Sequence, residues 1–424
     1  MKKLLLIATC LIFVISNVKG QGFTLTPKWI ESVNVGGFTP VGTLARCMAY
    51  YGDTLYFGDR ATTTNKMRLY SAETGEFARA FVMPTVTSVN GNNCIRTDVA
   101  GNIILSNLTT DARTTPFHVW RMANANAEPT LIINFTDPTA PKALRIDFSH
   151  VYGNVFGDGY IIAAIVGTGL QDQDKTVLKW NINGGIVSST PERIILQDYY
   201  PASSTSNGAT PHVFPVDATS FFFDGAGSYP TLYGTNGSLL DGFANAGSVT
   251  KPAAVANGVA TVQLGTKHFL ICGANSTINS FNLYQMGEGG TFSGMTLLST
   301  FPEGGLSTSG NASNVVLPVV NKVSETQADI YIYAPERGYA KYELHTGPFS
   351  ALSEIKNDDN YIITQNGIIH LTEKSNVEAY TISGQKIISK RDVFHVDVPT
   401  ISGVYVINIS NHNGTSTTKK ILVK

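Results

Sequence analysis

The sequence predicts an all-β chain: a β-propeller of six blades, with seven as the alternative count, followed by a small C-terminal β-sandwich. Three observations predict it. The first is a repeat in which an apolar run reaches a Tyr or Trp and then a small turn residue. It occurs as Met67-Arg68-Leu69-Tyr70 before Gly75, Phe117-His118-Val119-Trp120 before Asn124, and Val177-Leu178-Lys179-Trp180 before Gly184. It returns as Thr231-Leu232-Tyr233 before Gly237, Phe281-Asn282-Leu283-Tyr284 before Gly287, and Tyr339-Ala340-Lys341-Tyr342 before Gly347. The aromatic positions 70, 120, 180, 233, 284 and 342 recur every 50 to 60 residues, the length of a four-stranded blade. The second is composition: 14% of the 424 residues are charged, while 40 Gly, 18 Tyr and 21 Phe supply turns and strand-forming aromatics. The third is the recurrence of Gly52-Asp53, Gly101-Asn102 and Gly153-Asn154 between the first two strands of successive repeats.

Taken in order, the first repeat predicts strands over 46–51, 54–58, 66–71 and 77–83, and the second over 94–99, 102–107, 116–122 and 130–135. The third predicts 144–150, 160–166, 176–182 and 192–197; the fourth 211–216, 220–224, 229–234 and 238–243. The fifth predicts 253–264, 267–273, 280–286 and 295–301. The sixth offers 315–320, 329–333 and 339–345 and then lacks a fourth strand. The strand-like segment 27–35 around Trp29 precedes the first repeat and belongs to no unit. Pairing it with 339–345 would close the ring with one strand from each end and remove an open sheet edge. The expected domains are a signal peptide over 1–20, a propeller over 21–349 closed by the Trp29 strand, and a C-terminal module over 350–424.

The N-terminus carries Lys2 and Lys3, an apolar stretch over 4–15 and Val18-Lys19-Gly20 before an expected cleavage site. That reads as an exported chain, secreted or at the outer cell surface, with Cys10 leaving a lipoprotein as the alternative. No segment is long enough for a transmembrane helix. A net charge of −1 gives no general field for nucleic acid. Without the signal, Cys47, Cys94 and Cys272 remain; an odd number is no disulfide framework, although Cys47 and Cys94 fall on equivalent strands of the first two repeats.

From 350 the chain predicts seven short strands: 361–364, 368–372, 377–382, 386–389, 393–398, 404–409 and 417–423. Within it, Val377-Glu378-Ala379-Tyr380-Thr381-Ile382-Ser383-Gly384-Gln385-Lys386-Ile387, Gly403-Val404-Tyr405-Val406-Ile407 and the terminal Lys419-Lys420-Ile421-Leu422-Val423-Lys424 resemble the type IX secretion C-terminal sorting domain of Bacteroidetes. The resemblance implies passage across the outer membrane and contact of 350–424 with the type IX machinery. The family often opens on a Pro-Asn-Pro type segment, and here Lys356-Asn357-Asp358-Asp359-Asn360 stands without proline, so a plain accessory sandwich remains the alternative. The first 350 residues resemble, more loosely, uncharacterised secreted propeller domains of gut Bacteroidetes, which carry no activity with them.

No nucleophile elbow, His-Glu-x-x-His, Cys-x-x-Cys or phosphate-binding glycine loop occurs. Asp172-Gln173-Asp174 lacks the Gly and distal Glu of a calcium loop, and the histidines are scattered, so no metal and no cofactor is expected. One constellation remains. The first strands carry Arg46, Arg96, Arg145 and His212, and two of the arginines stand in Arg-x-Asp pairs with Asp98 and Asp147. A spacing of two places both side chains on one face of a strand. These residues either ring one channel mouth and bind an anionic or sugar-like ligand, or form ion pairs between blades. The function expected is non-catalytic binding of a glycan, peptide or protein. The alternative, a propeller glycoside hydrolase or lyase, needs two facing carboxylates, for which Asp98, Asp147 and Asp217 are the candidates.

Overall fold

The computed structural model describes residues 22–34, 45–59, 65–83, 85–86, 90–166, 176–197, 210–225, 228–253, 257–310, 315–346, 361–363, 368–381, 384–397, 403–411 and 416–423. The expected signal peptide, the Asp172-Gln173-Asp174 segment and the 356–360 segment lie outside them. The chain divides into two units, with the boundary at Thr346.

The first unit is all-β and propeller-like. Six antiparallel sheets follow one another along the chain, and each but the sixth is a meander in sequence order. Sheet one holds Met48–Tyr51, Thr54–Asp59, Lys66–Ser71 and Phe77–Val82; sheet two holds Cys94–Thr97, Ile103–Ser106, Phe117–Met122 and Thr130–Phe135. Sheet three holds Ile146–Gly153, Gly159–Ile165 and Thr176–Asn183. Its outer edge is split into Ile186–Val187 and Glu192–Ile195, so the single expected fourth strand is two short ones. Sheet four is His212–Pro215, Ser220–Asp224, Thr231–Gly234 and Leu239–Gly242; sheet five is Val259–Leu264, Lys267–Asn275, Ser280–Gln285 and Thr296–Phe301. Sheet six runs Leu317–Lys322, Gln327–Ala334 and Gly338–Thr346, and its outermost strand is Phe23–Ser32 from the other end of the unit.

The repeated aromatics have a structural reason. Tyr70, Trp120, Trp180, Tyr233, Tyr284 and Tyr342 all lie on third strands and all are buried. In sheets one, two, four and five, the pairing of third to fourth strand slips one step before this residue, at Leu69/Tyr70, Val119/Trp120, Leu232/Tyr233 and Leu283/Tyr284. In sheet three the two outer strands pair on either side of Trp180. A bulge there increases the local twist, and the ring fills the space between neighbouring sheets.

Hydrophobic cores lie between consecutive sheets. Phe117, Ile133, Ile161 and Trp180 pack between sheets two and three, and Ile162, Val213, Phe221 and Tyr233 between three and four. The seam of sheets six and one is aromatic: Trp29 meets Tyr339 edge-on at 5.6 Å and Phe57 meets Tyr333 at 5.0 Å. Polar tips pin the same seam, with Tyr339 Oη donating to Gly75 O at 2.8 Å and Tyr333 Oη to Ala45 O at 2.9 Å.

The second unit is an antiparallel sheet. Its strands are Tyr361–Ile363, Ile368–Thr381, Lys386–Asp397, Gly403–Asn411 and Ser416–Val423. Seven short strands were expected; five are present among the described residues. The pairs expected at 368–372 and 377–382, and at 386–389 and 393–398, are each one long strand, whose mutual pairing shifts register between His370 and Val377 and then resumes. The first segment of the sorting-domain resemblance turns at Gly384 (φ +84°) from Ile368–Thr381 towards Lys386–Asp397, and the other two fall on Gly403–Asn411 and Ser416–Val423, which pair with each other.

Candidate functional site

The first strands of all six sheets converge on one cavity of about 280 Å³. Its wall runs through Ala49, Arg96, His150, Phe214, Val259 and Leu317, one residue from each of those strands in turn. Polar and apolar atoms share its surface almost evenly; Arg96 and His150 are its basic side chains, with Tyr50, Thr97 and Thr261 as the hydroxyl-bearing ones. No carboxylate is among its described lining residues.

Arg96 is 5% exposed. Its Nη1 donates to Met48 O and Ile95 O, both at 3.2 Å; the guanidinium also interacts with the Cys47 thiol, and Nε and Nη2 are closed off from solvent. A guanidinium has five N–H donors, and leaving any unmade inside a protein is costly. His150 lies beside it. Burial, reinforced by the Arg96 charge, holds His150 down to about 3, so the ring is neutral at neutral pH. His212 stacks on Phe148 at 3.8 Å between ring centroids, and burial together with Arg96 and His150 keeps it well below its ordinary range.

The two Arg-x-Asp pairs do not do the same thing. Arg145 Nε donates to Asp147 Oδ1 at 2.9 Å in an ion pair whose carboxylate is fully buried. Arg96 and Asp98 are not paired. Asp98 instead accepts from Ala100 N, Asn102 N, Asn102 Nδ2 and Val155 N at 2.8–2.9 Å, organising the turn that follows it. The cause is strand length. The first strand of sheet two covers only Cys94–Thr97, which puts Arg96 and Asp98 at its end. In sheet three the first strand covers Ile146–Gly153, which puts Arg145 and Asp147 at its beginning. Arg46 precedes the first strand of sheet one, and Asp147 is the charge that acts on it most. The expected single ring of Arg46, Arg96, Arg145 and His212 is therefore divided: Arg46, Arg145 and Asp147 stand at the strand starts, Arg96 and His150 line the cavity, and His212, the first residue of its strand, does not line it. Asp217 accepts from Thr219 N and Oγ1 in its own turn. None of Asp98, Asp147 and Asp217 lines the cavity.

Sequence reasoning missed His150. It was set aside among scattered histidines, although its place on a first strand was a usable signal. Cys47 and Cys94 do meet: their sulfurs are 3.2 Å apart and both residues are buried.

The fold and cavity define a propeller-like all-β protein walled around a small, cationic central pocket. No protein-family model matches the chain, and no curated protein matches it. Among solved structures, it is similar to a DUF4623 family protein from Bacteroides eggerthii, at 17% identity and a TM-score of 0.54, covering 72% of this chain and 71% of that one. It is also similar to PorZ of Porphyromonas gingivalis, described as an essential bacterial surface component of the type-IX secretion system. That match has 15% identity and a TM-score of 0.39 and covers 91% of this chain and 60% of that one. A third likeness is to the α-L-arabinofuranosidase Arb93A from Fusarium graminearum, at 8% identity and a TM-score of 0.46, covering 77% of this chain and 98% of that one. Among the described residues no helix is long and apolar enough to cross a membrane.

Proposed function

We propose that the chain is an exported, non-catalytic binding protein: a six-bladed β-propeller over 21–349 that takes an anionic group of a glycan, peptide or protein ligand into its central cavity. Residues 350–424 act as a type IX sorting-like module that brings it to the outer cell surface or beyond. The observation that carries the binding reading is Arg96, a cation 5% exposed on the wall of a cavity with no carboxylate among its described lining residues. A carboxylate seated against that wall would supply the counter-charge that no lining side chain supplies. Size narrows the ligand further. Small-molecule sites usually enclose roughly 300–1,000 Å³, so a cavity of about 280 Å³ suits one terminal group, such as a uronic acid ring or an acidic side chain, rather than a polymer segment.

The test is a glycan and peptide array probed with the mature chain and with Arg96→Gln and Arg145→Ala variants. Arg96→Gln is expected to lose the acidic ligands and Arg145→Ala to keep them. Hits that survive both substitutions, or that persist when their carboxylates are converted to amides, overturn the reading. Deleting 350–424 tests the sorting role separately, since a truncated chain that still leaves the cell would refute it.

A further inference from the structure

We infer that Cys47 and Cys94 form a disulfide in the exported protein, linking the first strands of sheets one and two beside the central cavity. The sulfurs are 3.2 Å apart with the thiols reduced. A disulfide bond is about 2.05 Å long, so the sulfurs close by about 1 Å to bond. The neighbouring strands are held in that register by Arg96 Nη1 on Met48 O at 3.2 Å and Thr97 Oγ1 on Tyr50 O at 2.7 Å, which flank the pair. Proximity imposed by the fold raises the effective concentration of one thiol at the other. Cys272, the third cysteine past the expected cleavage site, lies on the second strand of sheet five and is held in no such contact.

The electrostatics agree with the geometry. Burial works to raise both thiols, and it pushes Cys47 well up. At Cys94 the hydrogen bond from Cys47 and the Arg96 charge outweigh burial and bring the thiol down to about 6. Cys94 is thus the thiolate and the attacking sulfur. The oxidant is a disulfide of the exported compartment, small or protein-borne. Cys94 Sγ attacks one of its sulfurs, giving a mixed disulfide and one released thiolate. That thiolate takes the Cys47 proton, and Cys47 Sγ then displaces the second thiolate from Cys94. Two protein thiols lose two electrons and one external disulfide becomes two thiols. Because both sulfurs are buried in the folded unit, the exchange belongs to folding, once the first strands of sheets one and two have brought Cys47 and Arg96 beside Cys94 and before the remaining sheets bury the pair. Once the bond is made, the Cys94 thiolate no longer faces Arg96, and the guanidinium is left for an acceptor in the cavity.

The inference rests on the export reading, yet its test does not depend on any ligand or on secretion. The mature chain is reduced, unfolded and refolded in a glutathione redox buffer, then denatured and alkylated. The expected result is a fall from three alkylatable thiols to one, a mass lower by ~2 Da, and a non-reduced digest containing a Cys47–Cys94 linked peptide. Cys272→Ser, which leaves the pair intact, is expected to show no free thiol. Three free thiols after refolding to the native spectrum, or a crosslink that includes Cys272, would overturn the inference.

Discussion

Asp224 offers a test of how burial sets the chemistry of this fold. It ends the second strand of sheet four and is fully buried. Its Oδ2 accepts from Gly258 N at 2.9 Å, which ties sheet four to sheet five, while Oδ1 has no hydrogen-bond partner. Burial outweighs the backbone hydrogen bonds from Gly258 and Gly225 and raises the carboxyl from 3.8 to about 7. A carboxyl whose folded value lies above its unfolded value binds protons more tightly when folded. Its contribution is fully present below pH ~4 and is lost as pH climbs to ~7. At 1.36 kcal/mol per unit, a rise of about three units sets a ceiling of about 4 kcal/mol.

Asp224→Asn keeps an acceptor for Gly258 N and cannot ionise. It is expected to match the wild type near pH ~4 and to be more stable above pH ~7, by about 2–4 kcal/mol. His150 runs the other way. Its folded value of about 3 lies below the ordinary 6.5, so its contribution is present above pH 6.5 and fades as pH falls towards 3. Both proteins share that term, so it cancels in their difference, and the variant alone should lose stability more steeply on acidification. The assay is guanidinium chloride unfolding at several pH values and constant salt, followed by tryptophan fluorescence. Trp29, Trp120 and Trp180 all lie in the first unit, so the signal reports on that unit. A difference between variant and wild type that does not change from pH ~4 to ~8 would refute the reasoning, as would a variant less stable throughout.

Two further outcomes follow from the seams and turns. Trp29→Ala removes the ring that packs on Tyr339 and Tyr331 at the closure; with Trp29 half-buried, a loss of about 2–3 kcal/mol is expected in chemical unfolding. No change in midpoint would mean that the Phe23–Ser32 strand contributes nothing to closure. Gly153→Ala places a methyl 2.3 Å from Asp158 O at a φ of +77°, so a loss of about 2 kcal/mol or more is expected. An unchanged melting curve would show that the 154–158 loop relaxes freely.

Most of the strands were legible in the sequence. The third strands Lys66–Ser71 and Phe117–Met122 and the outer Thr130–Phe135 fall within a residue of their expected bounds, since alternation and turn residues are local signals. The second unit was less legible. The polar residues around Lys374 and Ser375 read as a break, yet they remain inside Ile368–Thr381: the pairing shifts register after His370 and resumes at Ser375 on both neighbouring strands. The site was half legible. The Arg-x-Asp spelling at Arg96 and Asp98 and at Arg145 and Asp147 was visible, and it suggested one shared role. That spelling carries no information on where a strand begins relative to its turn, and the inner hairpins differ in just that respect.

The amino-acid sequence by itself determined the all-β class, the order of the sheets and the aromatic positions, because strand periodicity and turn chemistry act over a few residues. Only the tertiary structure decided which arginine faces the cavity and which is spent on Asp147, that His150 stands beside Arg96, and that Cys47 meets Cys94. The last two contacts join residues some 50 positions apart in the chain. They depend on where each first strand starts as it enters the centre, a quantity fixed by packing against two neighbouring sheets at once.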